Sequence, residues 1–234
     1  MTMNTTEASA PQRKIVDAFT RTLHALMAVS FGLAYLTSEM DGLRWLHVTF
    51  GYTLGAVFLL RLVWSGVGPR RVSLWALGGR LSGIYQMRDF IADLEWPAML
   101  KLVLACSMVA LLGCVLPLVV SGYLTYFGML GEWAEEVHEA FANAMLLAVG
   151  GHVATVVLLT RGTSGHAVRP MLTGRLKDKG PDLVKHNLVS VAILWLLLTA
   201  SFWSWQTWQY IHDPQFKHQP RWLHPEGGYQ EEKH

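Results

Sequence analysis

Apolar residues in this chain of 234 gather into stretches of about 20, the length that carries a helix across the hydrocarbon of a bilayer, with polar, acidic or basic breaks between them. The first predicted span runs from about Asp17 to Ser38, with Arg13, Lys14 and Arg21 at its start and Glu39 and Asp41 beyond its end. The short connection Glu39 to Leu43 then forces an antiparallel neighbour, Arg44 to Trp64. A break, Ser65-Gly-Val-Gly-Pro-Arg-Arg71, is followed by Leu74 to Leu94, where Trp75, Tyr85 and Phe90 alternate with Arg80, Arg88 and Asp89. That mixture predicts an amphipathic segment lying on the membrane surface at about 70–95. The third span is expected over Pro97 to Val120, interrupted by Pro117, and the fourth over Val137 to Thr160. Between them, Ser121 to Glu139 reads as an acidic connection with Glu132, Glu135, Glu136 and Glu139 and no lysine or arginine. A basic connection, 162–186, precedes a fifth span from Asn187 to about Trp208, and Trp203, Trp205, Trp208 and Tyr210 read as an aromatic belt at its exit. The ends, 1–12 and 211–234, are polar, and 1–12 reads as a disordered tail without the layout of a cleaved signal peptide.

With 52% hydrophobic and only 15% charged residues, the composition excludes an ordinary soluble domain. The chain reads as an all-α polytopic membrane protein, four helices forming a transmembrane bundle with a fifth beside it. Charge distribution assigns sides. Basic residues at the amino terminus, at Arg70 and Arg71, and from Arg161 to Lys185 are expected in the cytoplasm, which puts the acidic connection and the carboxyl tail outside, in the periplasm of a Gram-negative bacterium. The net charge of +2 gives no reason to expect a nucleic-acid partner. Cys106 and Cys114 share one apolar span at a spacing that does not favour a disulfide, and no Cys-x-x-Cys-His is present for covalent haem attachment.

Within the spans the chemistry rests on four histidines. His24 and His152 fall in the cytoplasmic half, His47 and His138 near the outer surface. His138 and His152, fourteen residues apart, share roughly one side of a helix and are separated by about 21 Å along it. Ionisable groups inside a membrane helix usually face the bundle interior for a functional reason. A haem with two axial imidazoles needs one histidine on each side of the porphyrin, from facing helices, and the pairs His24 with His152 and His47 with His138 meet that need. Two haems b, stacked about 20 Å apart, would then serve as cofactors. Gly51 and Gly55 follow His47, and Gly150 and Gly151 precede His152. They allow close approach of a flat macrocycle or, equally, of a neighbouring helix. Arg21, Arg44 and Arg61 are candidates to neutralise haem propionates, or else mark helix ends.

The residues also carry a resemblance. Arg21-Thr-Leu-His24, the run from His47 through Trp64 with Gly68-Pro-Arg70 after it, the pair His138 and His152, and Arg169-Pro-Met-Leu-Thr-Gly-Arg175 resemble the bacterial cytochrome b561 family, which includes cytochrome b subunits of nickel-iron hydrogenases. The resemblance covers about residues 14–178. It implies a dihaem four-helix core over 13–161, the same histidine pairing, and electron exchange between the quinone pool and a partner protein or small oxidant. The fifth helix at 187–210 and the tail lie outside that core. A quinone or quinol and a redox protein at the outer face are the expected partners, in a bacterial inner membrane. Whether the chain is an electron-transfer subunit or a stand-alone quinone-linked oxidoreductase stays open. Two other classes compete: a transporter whose histidines bind a metal ion or relay protons, and a non-catalytic membrane anchor. A transporter would gather its ligands at one depth with carboxylates, whereas these histidines divide between two depths.

Overall fold

The computed structural model describes residues 12–40, 42–67, 96–162, 168–177 and 180–212. The proposed surface segment at 70–95, the tail at 1–11 and the carboxyl end from 213 onwards lie outside the described residues. In chain order the elements are β1 (Gln12–Lys14), α1 (Ala18–Thr37), α2 (Arg44–Val67), α3 (Trp96–Tyr126), α4 (Glu132–Gly162), α5 (Arg169–Thr173), β2 (Arg175–Lys177) and α6 (Val189–His212).

Among the described residues four helices are long and apolar enough to cross a bilayer: α2, α3 over Ala98–Tyr126, α4 and α6. α1 is 20 residues long, enough to rise about 30 Å. Arg21 and His24 in its first two turns interrupt its apolar run. Buried Phe19, Leu23, Leu26, Phe31 and Ala34 give it a packed face instead.

Several expected boundaries move. α3 is one helix of 31 residues that passes through Pro117 and ends at Tyr126, where an interruption and an end at Val120 were expected. A proline removes one hydrogen bond from the ladder, a loss that neighbouring helices make tolerable. The acidic connection shrinks to a turn at 127–131, because α4 begins at Glu132. Glu132 and Glu135 occupy the first turn of α4, where carboxylates meet the exposed N–H groups and the positive end of the helix dipole. Gln12, expected in a disordered tail, is in β1, and the described part of the basic connection carries α5 and β2. β1 pairs antiparallel with β2 in the register Gln12 with Lys177, Arg13 with Leu176 and Lys14 with Arg175.

The described chain forms two compact units. The first draws on Met1–Ala25, Leu60–Met108 and Gly150–Ile193. Here Asp17 caps α1: one carboxylate oxygen accepts from Thr20 N at 2.7 Å, the other from Thr20 Oγ1 at 2.8 Å. The Thr20 hydroxyl also accepts from Trp64 Nε1 at 3.2 Å, and Phe19 meets Trp64 edge-on with ring centres 5.1 Å apart. Gly174 ends α5 in the left-handed region at φ 74°, and its carbonyl accepts from Ile15 N and Val16 N. A Cβ at Gly174 would stand 2.6 Å from the Val16 carbonyl oxygen, so both the conformation and the approach require glycine.

The second unit comprises Leu26–Leu59, Val109–Val149 and Leu194–His234. Its core includes Phe50, Leu54, Val57, Phe58, Val115, Leu118 and Met145. The aromatic belt expected on α6 is split by direction. Trp205 and Trp208 are exposed, as lipid-interface residues should be, whereas Trp203 meets Phe50 and Tyr210 stacks on Trp45.

Candidate functional site

In the second unit, His47 on the first turn of α2 and His138 on the second turn of α4 bring their rings to a centre distance of 6.0 Å, with planes 82° apart. Each ring is fixed by a backbone carbonyl. His47 Nδ1 donates to the Ala34 carbonyl at 2.8 Å, one of the last four carbonyls of α1, which also accepts from Thr37 Oγ1 at 3.2 Å. His138 Nδ1 donates to the Leu118 carbonyl at 3.0 Å, with Ser121 Oγ also 3.3 Å from the same nitrogen. A carbonyl oxygen can only accept, so the proton lies on Nδ1 in both rings and each Nε2 keeps a free lone pair. Histidines that bind metals are oriented in this way.

In the first unit, His24 on α1 and His152 on α4 have ring centres 6.5 Å apart and planes 41° apart. Ser107 Oγ donates to the Leu104 carbonyl at 2.8 Å and lies 3.4 Å from His152 Nδ1, a longer and weaker restraint than His47 and His138 have.

Metal to imidazole-nitrogen bonds of about 2 Å, plus roughly 1.1 Å from nitrogen to ring centre, put two axial rings about 6.2 Å apart across one ion. The observed separations of 6.0 and 6.5 Å bracket that value. Among the described residues no group of three or more His, Cys, Asp or Glu side chains could hold a metal ion. Two imidazoles alone suit a macrocycle that brings its own four equatorial nitrogens better than a bare cation. His47 and His138 also line a cavity of about 1460 Å³, with Phe31, Leu54, Phe58 and Leu118 among its apolar walls. That exceeds the ~300–1,000 Å³ of most small-molecule sites.

The other candidate residues separate. Arg44 and Gly51 line the same cavity, and a Cβ on Gly51 would meet nothing within 4 Å. Gly150 and Gly151 are likewise unobstructed. Gly55 also lines the cavity, but a Cβ there would stand 2.9 Å from Val119 Cγ1, so its small size is used in packing α2 against α3. Arg21 donates from Nη1 to the Leu172 carbonyl at 2.8 Å, which ties α1 to the segment after α4.

Two contributions of α3 were not anticipated. A Cβ on Gly122 would lie 2.8 Å from His138 Cε1 and 3.0 Å from its Nδ1, so only glycine leaves the ring its position. Ser107 and Ser121 are fourteen residues apart, the same spacing as His138 and His152 on antiparallel α4, and each serine meets one histidine. That shared spacing was the available signal.

Comparison with known proteins identifies a family. The model of the prokaryotic cytochrome b561 family matches residues 15–174, more than half of the chain, and takes in all four histidines. No curated protein and no solved structure matches. The chain belongs to the prokaryotic cytochrome b561 family and is a multi-pass membrane b-type cytochrome of electron transfer.

Proposed function

We propose that the chain is a dihaem cytochrome b of a bacterial inner membrane that passes electrons between the quinone pool and a redox protein at the outer face. The observation that carries this reading is the pair of facing imidazole sets, each at the separation an axial pair requires. His47 and His138 would hold one haem, His24 and His152 the other. When bound, each haem supplies a one-electron iron couple. The protein's part is to fix the four rings, exclude water and provide charge where propionates emerge, with Arg44 the best placed for that role in the outer cavity. The four-helix portion of 13–161 forms the electron-carrying core, with the amino terminus in the cytoplasm because basic residues dominate that side. Arg21 is assigned to bracing α1, since its guanidinium already meets the Leu172 carbonyl.

The test is reconstitution of the purified protein in liposomes with a short-chain ubiquinol or menaquinol, followed by visible absorbance. Reduction of the b-type haem by at least one quinol is expected. Haem that dithionite reduces but no quinol does would remove the quinone from the account.

A further inference from the structure

α6 lies beyond the residues 15–174 that the family model matches, yet its aromatic side chains grip the helix that carries His47. Trp203 Nε1 donates to Thr53 Oγ1 at 2.9 Å. The Thr53 hydroxyl donates in turn to the Thr49 carbonyl at 2.8 Å, and Thr49 Oγ1 donates to the Trp45 carbonyl at 2.7 Å. Trp203 meets Phe50 edge-on, with ring centres 5.2 Å apart and planes 88° apart. Tyr210 stacks almost flat on Trp45, with ring centres 4.6 Å apart and an interplanar angle of 14°.

At about 100° per residue, Trp45, Thr49 and Thr53 form one stripe turned roughly 160–240° from His47, so α6 holds the face of α2 away from the imidazole. Trp45 and Thr53 are eight residues apart, about 12 Å along the helix. Two attachments at that separation resist roll and tilt of α2 better than one. Any roll that remained would have to turn the His47 ring or stretch its 2.8 Å bond to the Ala34 carbonyl. Tyr210 also lines the cavity that His47 and His138 share.

We propose that α6 is a brace that sets the rotation of α2 and, through it, the angle between the His47 and His138 ring planes, with Trp203 and Tyr210 as its positioning residues. This rests on the reading of that pair as axial ligands of one haem. The angle between axial imidazole planes governs how far the two π-type d orbitals of low-spin ferric iron split. Rings near 82° leave them almost degenerate, which gives a strongly anisotropic electron paramagnetic resonance signal, and rings closer to parallel reduce that anisotropy.

The experiment records spectra of the oxidised, purified full chain as wild type, Trp203→Phe, Thr53→Val, Tyr210→Ala and Trp205→Ala, with His47→Ala identifying which signal belongs to this pair. Trp203→Phe keeps the aromatic packing and removes the N–H donor, Thr53→Val removes the acceptor, and Trp205 is an exposed residue on another face of α6. The first three variants are expected to keep haem at the wild-type ratio, displace the signal that His47→Ala abolishes, and leave the other signal in place. Trp205→Ala is expected to match wild type. Wild-type spectra in Trp203→Phe, Thr53→Val and Tyr210→Ala would overturn the brace, as would an equal displacement in Trp205→Ala. A wild-type protein without haem would overturn the ligand assignment itself, which is a separate and recognisable failure.

Discussion

Alanine at His47 and alanine at His138 are expected to give the same protein: about one haem per chain where wild type holds about two, and the same surviving spectrum. His24→Ala and His152→Ala are expected to form the complementary class, keeping the haem that the first two lose. The equivalence within each class follows from geometry. The ring centres of a pair lie 6.0 or 6.5 Å apart, so removing one ring would leave a haem held there with a single axial bond. Among the described residues no third histidine, cysteine or carboxylate gathers with either pair to replace it. The independence between classes has its own cause. The His47 and His138 rings are fixed through the Ala34 and Leu118 carbonyls and His152 by Ser107, so neither pair uses the other's restraints. Haem content by pyridine haemochrome, with difference spectra of each variant, checks the prediction. A different grouping of the four variants would break the pairing.

Gly122→Ala is expected to separate haem binding from helix stability. The added methyl would stand 2.8 Å from His138 Cε1, so the ring must move and its 3.0 Å bond to the Leu118 carbonyl must lengthen. Overpacking of this kind costs about 1–3 kcal/mol, while alanine in place of glycine inside a helix returns up to about 1 kcal/mol. The net loss of protein stability should therefore lie between nothing and about 3 kcal/mol, the smaller the more freely the ring moves aside. Occupancy of the haem at His47 and His138 should fall severalfold, because ligation depends on the position of one ring and not on the net folding free energy. Gly113→Ala is the control: it lies on the same helix α3 and a Cβ there would meet nothing within 4 Å. It should retain both haems and gain slightly in stability. Full haem occupancy in Gly122→Ala would mean that His138 does not need its observed position.

Four of the five spans and the nearness of the histidines within each pair are legible because they depend on quantities that a sequence displays directly: apolar length, the rise per residue and the alternation of sides. What surrounds the histidines was less visible. Ser107 and Ser121 look like ordinary membrane-helix serines that bond back to their own turn, which both also do, to Leu104 and Leu118. Their second role appears only when α3 and α4 are set antiparallel. Gly122 looks like any small interhelical residue until a ring is placed against it. The turn between α3 and α4 is shorter than its glutamates suggest, because carboxylates that fit a solvated loop are equally well placed at a helix start. Pro117 was read as an interruption, yet α3 continues through it. The belt on α6 concealed the inward turn of Trp203 and Tyr210, since an amphipathic ring suits a lipid interface and a packed helix face equally. β1 and β2 are three residues each and far apart in the chain, too short for any alternation to register.

The most direct test of the axial pairing is the haem-to-protein ratio of the purified wild-type chain, measured together with the spin state of its ferric iron. Two b-type haems per chain, both low-spin with six ligands, are the predicted result. One haem per chain, or a five-coordinate high-spin signal in the fully loaded protein, would contradict it.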